Sequence, residues 1–135
     1  MLLADEARGY FEEAGRDDRD TLNALTRVVF SCESMKVTTR LMHVIAWLLT
    51  QRAVMAGELA PRDALDPSRR LGEGPETDEA TIALLPDAAK ILVVATLDLH
   101  RRVTRFDKLQ ASGRMVTSPV RSLHERLAVA FAAAA

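Results

Sequence analysis

Three histidines, one cysteine and a run of arginines are the side chains in this sequence from which chemistry would have to be built. His43, His100 and His124 have no carboxylate or second histidine at the three- or four-residue spacing by which helices of a bundle assemble a metal site. Asp98 and His100 stand two apart, which diverges on a helix and excludes a base with its orienting acid. The segment GEGPE at 72–76 has neither a strand before it nor a Lys-Ser or Lys-Thr pair after it, so it is a linker and not a phosphate loop. Cys32 reads as a buried small hydrophobe, because a reactive thiol wants exposure and neighbouring positive charge. No catalytic, cofactor or metal constellation emerges, and the expectation is a protein that is not an enzyme.

His100, Arg101, Arg102 and Arg105 form a basic patch suited to docking a protein partner, since arginine is an effective interface anchor. The formal net charge of -1 and an aromatic content of 4% argue against nucleic acid, which needs a positive field and stacking platforms. With 135 residues the chain makes one domain able to bury a core without disulfide or metal. No apolar run reaches the ~20 residues of a membrane span. The N-terminus is too acidic and too briefly apolar for a signal peptide, so a cytoplasmic protein is expected.

The element that must position everything else is one long helix, expected over Thr21 to Ala56 with Asp18 or Asp20 as its cap and Gly57 as its stop. That rod would be about 54 Å long. Apolar or small residues alternate four and three apart through Val28, Cys32, Met35, Thr39, Met42, Ala46, Leu49, Ala53 and Ala56, which predicts the core seam. Val37, Arg40, Val44, Trp47 and Met55 then point away from the core. Between 41 and 49 the rod is apolar nearly all round, so that outward face is expected to meet a second copy or a partner, with Val94 and Leu97 of the next helix beside it.

Around this rod the chain reads simply. Residues 2–14 form a short amphipathic helix, and GRDDRD at 15–20 a turn. A connection at about 58–78, rich in Pro, Gly and charge, reads as mobile. A second long helix begins near residues 77–79 or at Pro86, keeps a seam of Leu85, Ala88, Leu92, Ala95, Leu99, Val103 and Phe106, and ends at Gly113. Ser118 and Pro119 open a closing helix with a stripe of Val120, Leu123, Leu127, Ala130 and Phe131, frayed over 132–135. The expected fold is all-α: an antiparallel bundle of three principal helices plus a short N-terminal helix, dimeric through its apolar waist.

The stretch SMKVTTRLMHVIAWLLTQRAVMAGE at 34–58 resembles the signature of the RcdA family, regulators of CtrA degradation. Glu33, Ser34, Met35, Thr38, Thr39, Arg40, Leu41 and Met42 carry its first half; Trp47 to Leu49, Gln51 to Val54, Gly57 and Glu58 carry its second. Ala46, the Met55-Ala56 pair and the long connection depart from it. The resemblance implies a dimeric, non-enzymatic helical adaptor without cofactor that helps deliver substrates to the ClpXP protease. It also implies partners of the kind of CpdR, a receiver-like protein, and PopA, a cyclic-di-GMP effector. A structural or signalling bundle that binds another helical protein, unconnected with proteolysis, is the competing expectation.

Overall fold

The computed structural model describes residues 2–113 and 119–134, with side chains over 2–113 and 126–134. Among these residues the chain is all-α: α1 (Leu2–Gly9), α2 (Gly15–Asp20), α3 (Ala24–Met55), α4 (Glu79–Ala83), α5 (Asp87–Ala111) and α6 (Pro119–Ala134). The expected Ser118 cap, the side chains of Val120, Leu123 and His124, and Ala135 lie outside the described residues.

Helical structure runs on through GRDDRD, which the sequence reading made a turn. α1 passes through a π-helical segment, Tyr10–Ala14, into α2. Gly15 permits this: a Cβ there would stand 2.8 Å from the Tyr10 carbonyl oxygen and 3.0 Å from its ring. The Tyr10 hydroxyl consequently crosses over Gly15 to donate to Asp18 at 2.8 Å. Tyr10 and Phe11 then stack edge-on against Phe30 and bind this N-terminal arm to α3.

α3 starts three residues later than expected, with Asn23 as its cap and not Asp18 or Asp20. Asn23 has extended backbone and accepts the Thr26 amide at 2.9 Å. The helix ends as expected at Gly57, which takes the left-handed φ of 75°. Its 32 residues make a rod of about 48 Å.

The two long helices run parallel, not antiparallel. Their contacts climb together: His43 faces His100, Trp47 bonds Asp107, and Gln51 bonds Gln110. The connection over residues 57–86 must therefore carry the chain back along α3. It meets that helix in descending order, with Gly72 on His43, Pro75 on Arg40, Glu76 on Lys36 and Thr77 on Glu33. Two 3-10 turns, Asp63–Leu65 and Pro67–Arg69, and a buried Ala64 structure its first half. A segment read as mobile is thus tied to the bundle over its length.

The faces of α3 are reversed from expectation. Its buried seam is Phe30, Glu33, Val37, Arg40, Val44 and Trp47, again spaced three and four apart. Val37 and Arg40 are each 1% exposed, whereas Met35 is 72% and Met42 63% exposed. Val28, Leu49 and Cys32 also face outward. The predicted seam lost the interior to the opposite one, whose Phe30, Val37, Leu41, Val44 and Trp47 are apolar too and whose Glu33 and Arg40 find partners there. α5 shifts likewise: Ala89, Leu92, Val93, Thr96, Leu97, Val103 and Asp107 are buried, while Ala88 and Phe106 are exposed.

Candidate interaction surfaces

The buried seam of α3 anchors the return connection. Glu33 and Arg40 are the largest side chains withdrawn fully from solvent. Such charges are tolerated only when paired and hydrogen-bonded. Arg40 donates from Nε to the Pro75 carbonyl at 3.0 Å, from Nη1 to Thr96 at 3.2 Å and from Nη2 to Thr77 at 2.7 Å. The Thr77 hydroxyl donates in turn to Glu33 at 2.6 Å, and Lys36 pairs with Glu33 at 2.9 Å. Burial lowers the Arg40 pKa from its ordinary value, and the negative charges of Glu33 and Glu76 oppose that shift. The network holds structure in place and leaves no reacting atom exposed.

One helical turn beyond Val44, the Trp47 indole donates to Asp107 Oδ1 at 3.1 Å, and Arg70 pairs with Asp107 Oδ2 at 2.8 Å. Glu33, Arg40 and Trp47, seven residues apart, thus fix three successive points of the connection and α5. Thr77, Thr96 and Arg70 were not singled out from the sequence; the seven-residue spacing of three long polar-tipped side chains was the signal that partners for them had to exist.

Five of the residues expected on an outward interface are interior. Val37, Arg40, Val44, Trp47 and Leu97 are buried within the subunit, and of that group Met55 and Val94 are exposed. The exposed apolar residues of α3 instead form the opposite stripe, Leu25, Val28, Met35, Met42 and Leu49. Such a row, along most of a 32-residue helix, is what an unpartnered packing face looks like.

The expected basic patch divides. His100 is half-buried beneath the connection, its Nε2 on the Gly72 carbonyl at 2.9 Å, and the rings of His43 and His100 lie 6.4 Å apart. Arg102 turns along the helix to Asp98 at 4.0 Å. Arg101 reaches Glu76 at 3.6 Å, both side chains being well exposed. Arg101 and Arg105 join Lys108 along one wall of an open groove of about 810 Å³, whose other wall is the connection from Pro67 to Glu76.

Among the described residues, no group of three or more His, Cys, Asp or Glu side chains is placed to hold a metal ion, and no helix is long and apolar enough to cross a membrane.

A family model described as a protein of unknown function (DUF1465) matches residues 1–131. The crystal structure of RcdA from Caulobacter crescentus CB15 is similar, with a TM-score of 0.65 and 34% sequence identity over 88% of this chain and 87% of that one. Comparison with curated proteins finds no match.

Proposed function

The chain belongs to the DUF1465 family and is RcdA-like, and from that premise we propose that it is a non-enzymatic regulatory protein that helps deliver substrates to the ClpXP protease. The observation that carries this reading is the exposed apolar stripe of α3, set against a core that is already filled without it. An adaptor works by presenting rigid faces to other proteins, and here the largest apolar face is turned outward on the longest helix. A second copy of the chain occupies that stripe in this reading, so the homodimer forms on the face opposite to the one expected from the sequence. Partners resembling CpdR and PopA dock elsewhere on the same cytoplasmic assembly.

Protein half-lives measured after translation is stopped, in wild-type host cells and in a deletion strain, test the delivery role. Substrates stabilised in the deletion strain should be degraded faster by purified ClpXP once this chain is added back. Unchanged half-lives and no stimulation in vitro would contradict it and favour a structural or signalling bundle unconnected with proteolysis.

A further inference from the structure

The groove between α5 and the connection has one cationic wall and one acidic one. On α5, Arg101, Arg105 and Lys108 stand four and three residues apart and so share a helix face. Among the described residues, Arg105 and Lys108 have no carboxylate within ion-pair distance. Arg101 has only an exposed, long contact with Glu76, of the kind that water and salt dissolve. Asp107 adds little free negative charge at the base, since its carboxylate is already held by Trp47 and Arg70. Glu73 and Glu76 stand on the opposite wall.

That opposite wall also offers backbone. Residues 71–78 form no helix or turn, and among the described residues no amide of Leu71 to Gly74 or of Glu76 donates a hydrogen bond. Gly72 and Gly74 are pressed onto the His43 and His100 rings, which fixes the segment in place and keeps side chains off that part of the wall. The carbonyls of Gly72, Pro75 and Glu76 are taken by His100, Arg40 and Lys36, but free amides on a fixed wall can donate to the hydroxyl or amide side chains of a peptide lying along the groove.

We propose that this groove docks an extended segment of a partner protein in which acidic residues occupy every second position. An extended chain turns alternate side chains to opposite sides and repeats at roughly 6.6 Å per two residues. Arg101 and Arg105 are separated by about 6 Å along the helix axis. Successive acidic side chains therefore meet successive cations, while the intervening residues face Glu73 and Glu76 and must be uncharged or basic. A nucleic acid, negative along its whole length, meets those two glutamates. This docking mode rests on reading the protein as one that binds other proteins, and names the chemistry of one such partner.

The test is direct binding to the full chain of a labelled peptide alternating glutamate with serine, followed by fluorescence anisotropy and by the emission of Trp47, whose indole is bonded to the groove residue Asp107. The comparison ligands are the same-length peptide with glutamine in place of glutamate and a single-stranded oligonucleotide. The expected result is saturable binding of the acidic peptide that weakens with salt and drops at least about tenfold in an Arg105→Glu, Lys108→Glu variant. Both side chains are exposed, so the variant should retain the circular dichroism and denaturation midpoint of the parent. No binding of the acidic peptide, equal binding of its glutamine counterpart, equal binding by the variant, or tighter binding of the oligonucleotide would each overturn the proposal. Failure here leaves ClpXP stimulation intact if only the groove assignment is wrong; failure of the delivery role leaves peptide binding measurable.

Discussion

Arg40 on α3 donates to the hydroxyl of Thr77 at 2.7 Å, and Thr77 belongs to the connection that runs back along that helix. The threonine donates onward to Glu33 at 2.6 Å, so two opposite charges two turns apart are joined through a residue 37 positions downstream of the arginine. The link sits where the buried face of α3, the returning connection and α5 meet, since Arg40 also donates to Thr96 of α5.

Removing the guanidinium leaves Glu33 buried with part of its compensation gone. Arg40→Met should lower unfolding free energy by about 3–5 kcal/mol. Glu33→Gln should cost less, and the double variant less than the sum of the two, because they act within one network. Denaturant titrations of the four proteins check this; strict additivity would show that the two residues act separately.

Gly74 lies against His100, where an added Cβ would stand 2.9 Å from the ring. The ring can yield only by giving up its 2.9 Å contact with the Gly72 carbonyl. Gly74→Ala should therefore cost about 1 kcal/mol. In a His100→Ala background the same substitution should be close to neutral, and thermal melts of both pairs measure the difference.

Burial, reinforced by the Asp18 carboxylate that accepts its hydrogen bond, raises the Tyr10 pKa above its ordinary value. A raised folded-state value means that the stabilising contribution is complete below the unfolded pKa, near 10. It is lost as pH climbs beyond that toward the folded value. Tyr10 is the chain's one tyrosine, so phenolate absorbance reports it alone. Ionisation in the folded protein should lag that in denaturant, and Asp18→Asn should reduce the lag.

The two long helices and the closing one were legible in the sequence, though α2 was not: apolar periodicity, Gly57 and Pro119 each mark an element or its end as the structure has it. The orientation of α3 was not. Two seams with the same three-four spacing run along it, and counting apolar residues favours Met35 and Met42 over Glu33 and Arg40. The choice involves Thr77, Pro75 and Thr96, distant residues whose sequence traces are indirect: the seven-residue spacing of Glu33, Arg40 and Trp47, and a connection too long for a tight antiparallel turn. The expected basic patch does not stay together: His100, Arg101 and Arg105 line one groove with Lys108, while Arg102 turns to Asp98, and which of them share a groove depends on where the connection lies.

The reversed faces predict a sharp contrast in stability. Val37→Ala and Val44→Ala open space in the interior and should each cost roughly 1–3 kcal/mol, while Met35→Ala and Met42→Ala should stay within about 0.5 kcal/mol for the isolated subunit. Comparable losses at all four positions, measured at a concentration where the chain is monomeric, would mean that both faces are packed within one subunit.

Sedimentation velocity of the parent chain beside a Met42→Glu, Leu49→Glu variant tests most directly whether the exposed stripe of α3 is an interaction face. The expected result is a dimeric parent and a variant that is monomeric, with the helical content of the parent. A variant that remains dimeric, or a parent that stays monomeric as its concentration is raised, would contradict it.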